Sequence, residues 1–298
     1  MVDFVKLKIL NPDIKGIRNL SFLEWEQTTN EQTGEIKNNK AEFKSLTVEI
    51  RYNQYLYISG SLHKYWNSIN TGIEQNYNDF HFKDLECSIK DICTRFNLNP
   101  VNCKIDNIEF GVNVNTPIPV NEVLRSVINH KGKPFTTELE KKKYLRECKH
   151  QRYFIKIYDK GLQNDLTENI FRFEIKHMKL EDLKPFNILT LANLLKRDNI
   201  SRLIEVLDAN FNELLFYDYT IQETELPPPK RLILSNGQIP TYWIKLKETN
   251  PDNYFKKRQR FRVLVKKYGK QNIQESTGNL ITQKWNELLL SDTDYYRI

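Results

Sequence analysis

Apolar and polar residues alternate through three early stretches: "FVKLKIL" (Phe4 to Leu10), "SLTVEIRY" (Ser45 to Tyr52) and "YLYISGSL" (Tyr55 to Leu62). Period-two alternation rich in β-branched and aromatic residues predicts strands. Asn53-Gln54, between the second and third, predicts a hairpin. From Asn78 to Leu98 the period lengthens. Phe82, Leu85, Ile89, Ile92 and Phe96 recur at helical spacing, and Asn-Pro closes the run. A strand over Cys103 to Asn115 follows, then a helix over Pro119 to His130 with Asn121 as its cap. Arg152 to Met178, "RYFIKIYDKGLQNDLTENIFRFEIKHM", reads as two strands joined by a polar turn. Leu180 to Arg197 and Ile200 to Asp218 read as helices. "PPPKR", Pro227 to Arg231, reads as a stiff, extended linker. Beyond it the chain is helical. This order predicts an α+β fold, mainly antiparallel sheet flanked by helices, followed by a small helical basic C-terminal domain. The expected boundaries are 1–225 for the first domain, in sheet-bearing halves of about 1–100 and 101–225, then a linker at 226–231 and the basic domain at 232–298.

Alternation also sorts the candidate chemistry, because successive strand residues point to opposite faces. Ile108, Phe110, Val112 and Val114 share one face of their strand, and Asn107, Glu109, Gly111 and Asn113 the other. In "RYFIKIYDK", Tyr153, Ile155 and Ile157 form the apolar face, and Phe154, Lys156, Tyr158 and Lys160 the opposite one. In "IFRFEIKH", Phe171, Phe173 and Ile175 face inward, leaving Arg172, Glu174 and Lys176 outward. One sheet face would then gather Glu109, Glu174, Tyr158 and several cations. Two carboxylates can hold a hard divalent cation through oxygen. A phenol with an ordinary pKa of about 10 becomes a useful nucleophile only beside cations such as Lys156 and Lys160. The same pattern also suits an ordinary solvated face, with Glu174 paired across strands to cations.

Composition narrows the class. Of 298 residues, 39% are hydrophobic and 12% aromatic, enough for real cores. Apolar runs such as "LIL" at Leu232 and "LLL" at Leu288 are far too short for a membrane span. The N-terminus alternates, unlike a signal peptide, so a cytoplasmic protein without a membrane partner is expected. Cys87, Cys93, Cys103 and Cys148 lack zinc-ribbon or redox spacing and read as free thiols. Net charge is +7, and Thr241 to Ile298 alone holds 12 Lys+Arg against 6 Asp+Glu. "KKRQRFRVLVKK", Lys256 to Lys267, is a candidate phosphate-binding surface.

Several segments, in order, resemble the replication initiators typified by the filamentous-phage gene II protein, the phage and plasmid rolling-circle nickases. They are "YISGSLHKYWN", "NYNDF", "IDNIEFGVNV", "PVNEVLRSVI", "YFIKIYDKGLQ", "IFRFEIKHMKLEDLKPF" and "RFRVLVKKYGKQNI". The resemblance implies an origin-specific single-strand endonuclease and ligase dependent on Mg2+ or Mn2+. Tyr158 would be its nucleophile, Lys160 the companion, and Glu109 and Glu174 the metal ligands. Attack would leave a 5′-phosphotyrosine and a 3′-hydroxyl primer in a bacterial host cell. The implied partners are origin DNA, a host helicase and polymerase, and a second copy on the DNA. His63, Lys64, Lys156, Arg172, Lys176, Lys256, Lys257, Arg258, Arg260 and Arg262 are the DNA-binding candidates. Tyr65 and Trp66 could stack on unpaired bases or pack in a core. Tyr144 and Tyr153 are candidates for a second transesterification. There is no HUH pair, and whether Asp106, His63, His150 or His177 joins the metal site stays open. The alternative is an origin or operator binder that does not cut.

Overall fold

The computed structural model describes residues 1–137 and 145–290. Its strands are β1 (Val2–Ile9), β2 (Glu26–Thr29), β3 (Ile36–Phe43), β4 (Leu46–Arg51), β5 (Tyr55–Ser61), β6 (Cys103–Asn115), β7 (Val127–His130), β8 (Lys133–Pro134), β9 (Thr136–Thr137), β10 (Leu145–Lys149), β11 (Tyr153–Asp159), β12 (Ile170–His177) and β13 (Leu214–Phe216). Ten of them follow the order β2-β3-β4-β5-β1-β6-β12-β11-β10-β9, and a second sheet runs β13-β7-β8. The fold is α+β, with antiparallel pairing and a helical C-terminal region. The chain forms two compact units that interleave in sequence. Unit 1 is Met1–Gly111, Ile175–Ile204 and Trp285–Ile298; unit 2 is Val112–Glu174 and Glu205–Lys284.

Unit 1 follows its alternation closely. Val5, Leu7 and Ile9 of β1, Val48 and Ile50 of β4, and Leu56 and Ile58 of β5 are buried. Intervening residues stay polar or aromatic, with Lys6 over the Tyr57 ring at 5.5 Å and Lys8 over Tyr55 at 5.3 Å. β4 and β5 pair from Leu46↔Gly60 to Arg51↔Tyr55, and Tyr52 and Asn53 turn the hairpin at φ 50° and 53°. Two positive φ values suit the right-handed strand twist. Helices Leu62–Thr71 and Phe82–Arg95 bury Leu62, Tyr65, Leu85, Ile89 and Ile92. A β-bulge places Asp106 as an extra residue, since Lys6 pairs Asn107 and Leu7 pairs Ile105. The bulge shifts the alternation by one, so Cys103, Ile105, Ile108 and Phe110 are all buried. Trp285, fully buried, packs edge-on to Phe110 at 6.3 Å.

Unit 2 holds β10 and β11, paired from Leu145↔Tyr158 to Lys149↔Phe154, and a hydrophobic core in which β7, β13 and the C-terminal helices meet, built on Ile128, Leu215, Tyr217, Trp243, Tyr254 and Phe261. Trp243 donates its ring N–H to the Gly237 carbonyl at 2.7 Å, and a Cβ on Gly237 would overlap the Phe261 ring.

Several expectations differ in detail. The helix expected over 200–218 covers only Leu203–Asn212, and Leu214–Phe216 is instead strand β13, paired to β7. The helix expected over 119–130 covers only Val120–Ser126, with Pro119 rather than Asn121 at its cap position; residues 127–130 are drawn into β7 by pairing with β13. The helix expected over 180–197 is broken by Pro185 into a 3-10 turn, Glu181–Phe186, and the short helix Leu191–Leu194. The residues expected as a linker open a helix, Pro228–Gly237. Proline at the first helical positions lacks only an N–H that would have no partner there, and its φ is already helical.

Candidate active site

In unit 2, two neighbouring-residue alternations build one polar cluster. β11 places Lys156 and Tyr158 on one face by their i, i+2 spacing, and β12 does the same for Arg172 and Glu174. Tyr158 is buried, 7% exposed, and its hydroxyl donates to Glu174 Oε2 at 3.4 Å. That is long for an O–H···O bond, so the phenol is only lightly held through this contact. Arg172 Nε meets the same oxygen at 2.6 Å, and Lys156 Nζ meets Oε1 at 3.2 Å. The guanidinium also donates from Nη1 to Asn113 Oδ1 at 3.0 Å. Glu174 is therefore a buried carboxylate held by two cations and a phenol.

Lys160, expected on the strand, instead starts a short helix, Lys160–Gln163, capped by the Asp159 side chain, which accepts from Leu162 N at 2.8 Å. It still lies against the tyrosine. Its side chain is 2% exposed, donates to Gln163 Oε1 at 2.9 Å and places Nζ 5.6 Å from the centre of the Tyr158 ring.

In unit 1, Glu109 is buried and its Oε1 contacts Lys176 Nζ at 2.6 Å, with that ammonium 5.1 Å from the Phe4 ring centre. Much of the "SGSLHKYWN" segment is spent on folding. Ser61 caps its helix by accepting from Lys64 N at 3.0 Å. His63 is buried, stacked on Phe80 at 4.6 Å with Nε2 2.9 Å from Asn78 Oδ1. The Tyr65 hydroxyl donates to Asp91, and burial with that bond raises its pKa. Trp66 donates to Asp84 at 3.1 Å. His177 is buried and stacked on Phe110 at 5.7 Å; burial lowers it to about 4, with Asp182 opposing.

The basic tail separates into two kinds of cation. Arg258 is buried, bonded to the Glu213 carbonyl at 2.6 Å and paired with its carboxylate at 2.9 Å. Arg262 donates to the carbonyls of Asn212 and Leu214. Lys256, Arg260, Lys266 and Lys267 are exposed on the same helix, Pro251–Tyr268, while Lys257 is half-buried with Nζ 5.8 Å from the Tyr242 ring centre.

Sequence reasoning missed a cluster of softer ligands in unit 2. His130 Nδ1 is 2.7 Å from His150 Nε2, and Cys148 Sγ is 3.4 Å from the same nitrogen. Burial lowers His130 to about 2 and His150 to about 4, and raises the Cys148 thiol to about 11. The i, i+2 spacing of Cys148 and His150 was legible; nothing local announces His130, which is brought in by β7. Tyr153 stacks on His150 at 4.8 Å and accepts from Lys131 Nζ at 3.0 Å. Tyr144 lies outside the described residues. Among the described residues, no helix is long and apolar enough to cross a membrane.

No family model and no curated protein matches the sequence. Among solved structures, a rolling circle replication initiator protein from Geobacillus stearothermophilus is similar at 9% identity, with a TM-score of 0.42, over 84% of this chain and 96% of that one.

Proposed function

We propose that the protein is a rolling-circle replication initiator that nicks origin DNA through Tyr158. One observation carries the reading: a buried tyrosine and a buried glutamate share a sheet face with Lys156 and Arg172, and Lys160 lies on the tyrosine ring. The ordered resemblance to the gene II type of initiator selects the same tyrosine and glutamate.

In this mechanism a scissile phosphate docks beside Lys156 and Lys160, whose charges oppose the build-up of negative charge on phosphorus. The Tyr158 oxygen forms the new O–P bond in line with the departing 3′ oxygen. Its proton passes to the Glu174 carboxylate, which the hydroxyl already faces, and the 3′ oxygen takes a proton from water. Arg172 keeps Glu174 oriented, itself fixed by Asn113. The phosphodiester becomes a 5′-phosphotyrosine, so rejoining needs no nucleotide.

Glu174 in unit 2 and Glu109 in unit 1 each offer a hard oxygen donor of the kind that magnesium or manganese takes. An ion held by Glu174 would polarise the phosphate and offset charge on the leaving oxygen. Exposed Lys256, Arg260 and Lys267 would hold duplex phosphates.

The same neutralised carboxylates favour one second reading, a DNA binder that does not cut. Incubation with supercoiled DNA carrying candidate origins and magnesium distinguishes them. Site-specific nicking with protein on the 5′ end supports the initiator; tight binding with no nick under magnesium or manganese supports the binder.

A further inference from the structure

We propose that His130, Cys148 and His150 bind a zinc ion that fastens β7 to β10 within unit 2. The three ligand atoms lie within 4.8 Å of one another. Tetrahedral zinc, with bonds of about 2.0–2.1 Å to nitrogen and about 2.3 Å to sulfur, sets N···N at about 3.3 Å and S···N at about 3.6 Å. The Cys148 sulfur lies 3.4 Å from the His150 nitrogen, which already fits, whereas its separation from the His130 nitrogen, bounded by 4.8 Å, has to come to about 3.6 Å. The two histidine nitrogens, now 2.7 Å apart, need to separate by roughly 0.6 Å. His150 is the half-buried member, while His130 and Cys148 are fully enclosed, so closing on an ion takes a small shift of the strands that carry them as well as of His150. A water as fourth ligand would enter from the His150 side.

Donor chemistry selects the metal. One thiolate and two imidazoles are a borderline-soft set that suits zinc and not magnesium. The site is also separate from the tyrosine. Cys148 pairs with Ile155 across the β10–β11 ladder, whereas Leu145 pairs with Tyr158 and Glu147 with Lys156. Direct partners share a face, so Cys148 lies on the side opposite Tyr158. The role that follows is structural. β7 belongs to the three-stranded sheet and β10 to the ten-stranded one, and a shared ion would tie them.

Three ammoniums bear on affinity. Lys131, Lys133 and Lys247 lie near His150, but each is engaged: Lys131 with the Tyr153 hydroxyl, Lys133 with the Lys149 carbonyl and Lys247 with the Lys131 carbonyl. With a single thiolate to offset the ion, binding will be weaker than at a multi-thiolate site. Binding must also displace the thiol proton, so it strengthens as pH rises.

The test uses the full chain without an affinity tag. Zinc or cobalt(II) is titrated into metal-free wild type, Cys148→Ser and His150→Gln, following the thiolate-to-cobalt absorption and the melting temperature. The expected result is a saturable charge-transfer band and a higher melting temperature with zinc in wild type. The band is lost in Cys148→Ser, and the zinc-dependent rise is lost in His150→Gln while that variant stays folded without metal. A folded wild type with no cobalt–thiolate band would overturn the proposal. So would a zinc-dependent rise that persists in both variants.

Discussion

At the scale of single residues, Glu174 bears most on the account. Replacing it with glutamine removes the charge facing Arg172 and Lys156 but keeps the shape. Breaking a buried pair by deleting one partner costs roughly 3–5 kcal/mol, because the remaining charge is left uncompensated. Glu174→Gln should therefore lose nicking and also lower the unfolding midpoint in urea; unchanged stability would mean Arg172 and Lys156 do not depend on it. Lys156→Gln isolates the electrostatic part. With Arg172 still on Glu174, the fold should hold while nicking slows by roughly 100-fold, the scale of losing one donor to developing charge. Unchanged single-turnover rates would remove Lys156 from the site. The alternation of "RYFIKIYDK" and "IFRFEIKH" was enough to put Tyr158, Lys156, Arg172 and Glu174 on common faces. It could not indicate that Arg172 is anchored by Asn113, fifty-nine positions earlier in the chain, because that contact exists only once the strands are placed.

Among elements, the helix Pro251–Tyr268 carries exposed cations, proposed to meet phosphate, beside cations that turn inward. Its charge run was plain in the sequence, but which cations are surface ones was not, since Arg258 and Arg262 turn inward to carbonyls of residues 212–214. Replacing Lys256, Arg260 and Lys267 together with glutamine should weaken DNA binding and lower the slope of log affinity against log salt by about 3. Arg258→Ala should instead lower thermal stability. Equal effects of the two changes on DNA binding would count against this division. The hairpin of β4 and β5 carries a steric constraint of its own. A side chain at Gly60 would press on the Ser45 carbonyl oxygen, so Gly60→Ala should cost about 1–3 kcal/mol in a denaturant titration, as overpacking does. The helix breaks at Pro185 and Ser126 escaped a reading by hydrophobic period alone, since a following strand partner or an internal proline decides them.

For the whole molecule, acid stability draws on buried histidines, of which His177 stands apart from the His130–His150 pair. Its folded pKa, about 4, lies below the ordinary histidine value of about 6.5 because the ring is buried against Phe110, with Asp182 opposing the shift. Between those two pH values the unfolded chain takes up a proton that the native chain refuses. This contribution to stability is therefore present above pH 6.5 and is lost as the pH falls toward 4, at about 1.4 kcal/mol per pH unit. Unfolding midpoints at intervals across that range, for wild type and His177→Gln, should show a shallower decline in the variant; parallel curves would contradict it. Composition and alternation made the α+β class legible. The two interleaved units were not, because their four boundaries fall inside β6, β12 and the helices Leu203–Asn212 and Ile273–Leu289, where no change in sequence texture marks them. The most direct measurement of the central claim compares wild type with Tyr158→Phe on supercoiled origin DNA with magnesium. Wild type should give a nick carrying protein on its 5′ end and Tyr158→Phe no covalent product; an equal yield of the adduct from the variant would contradict the assignment of Tyr158 as nucleophile.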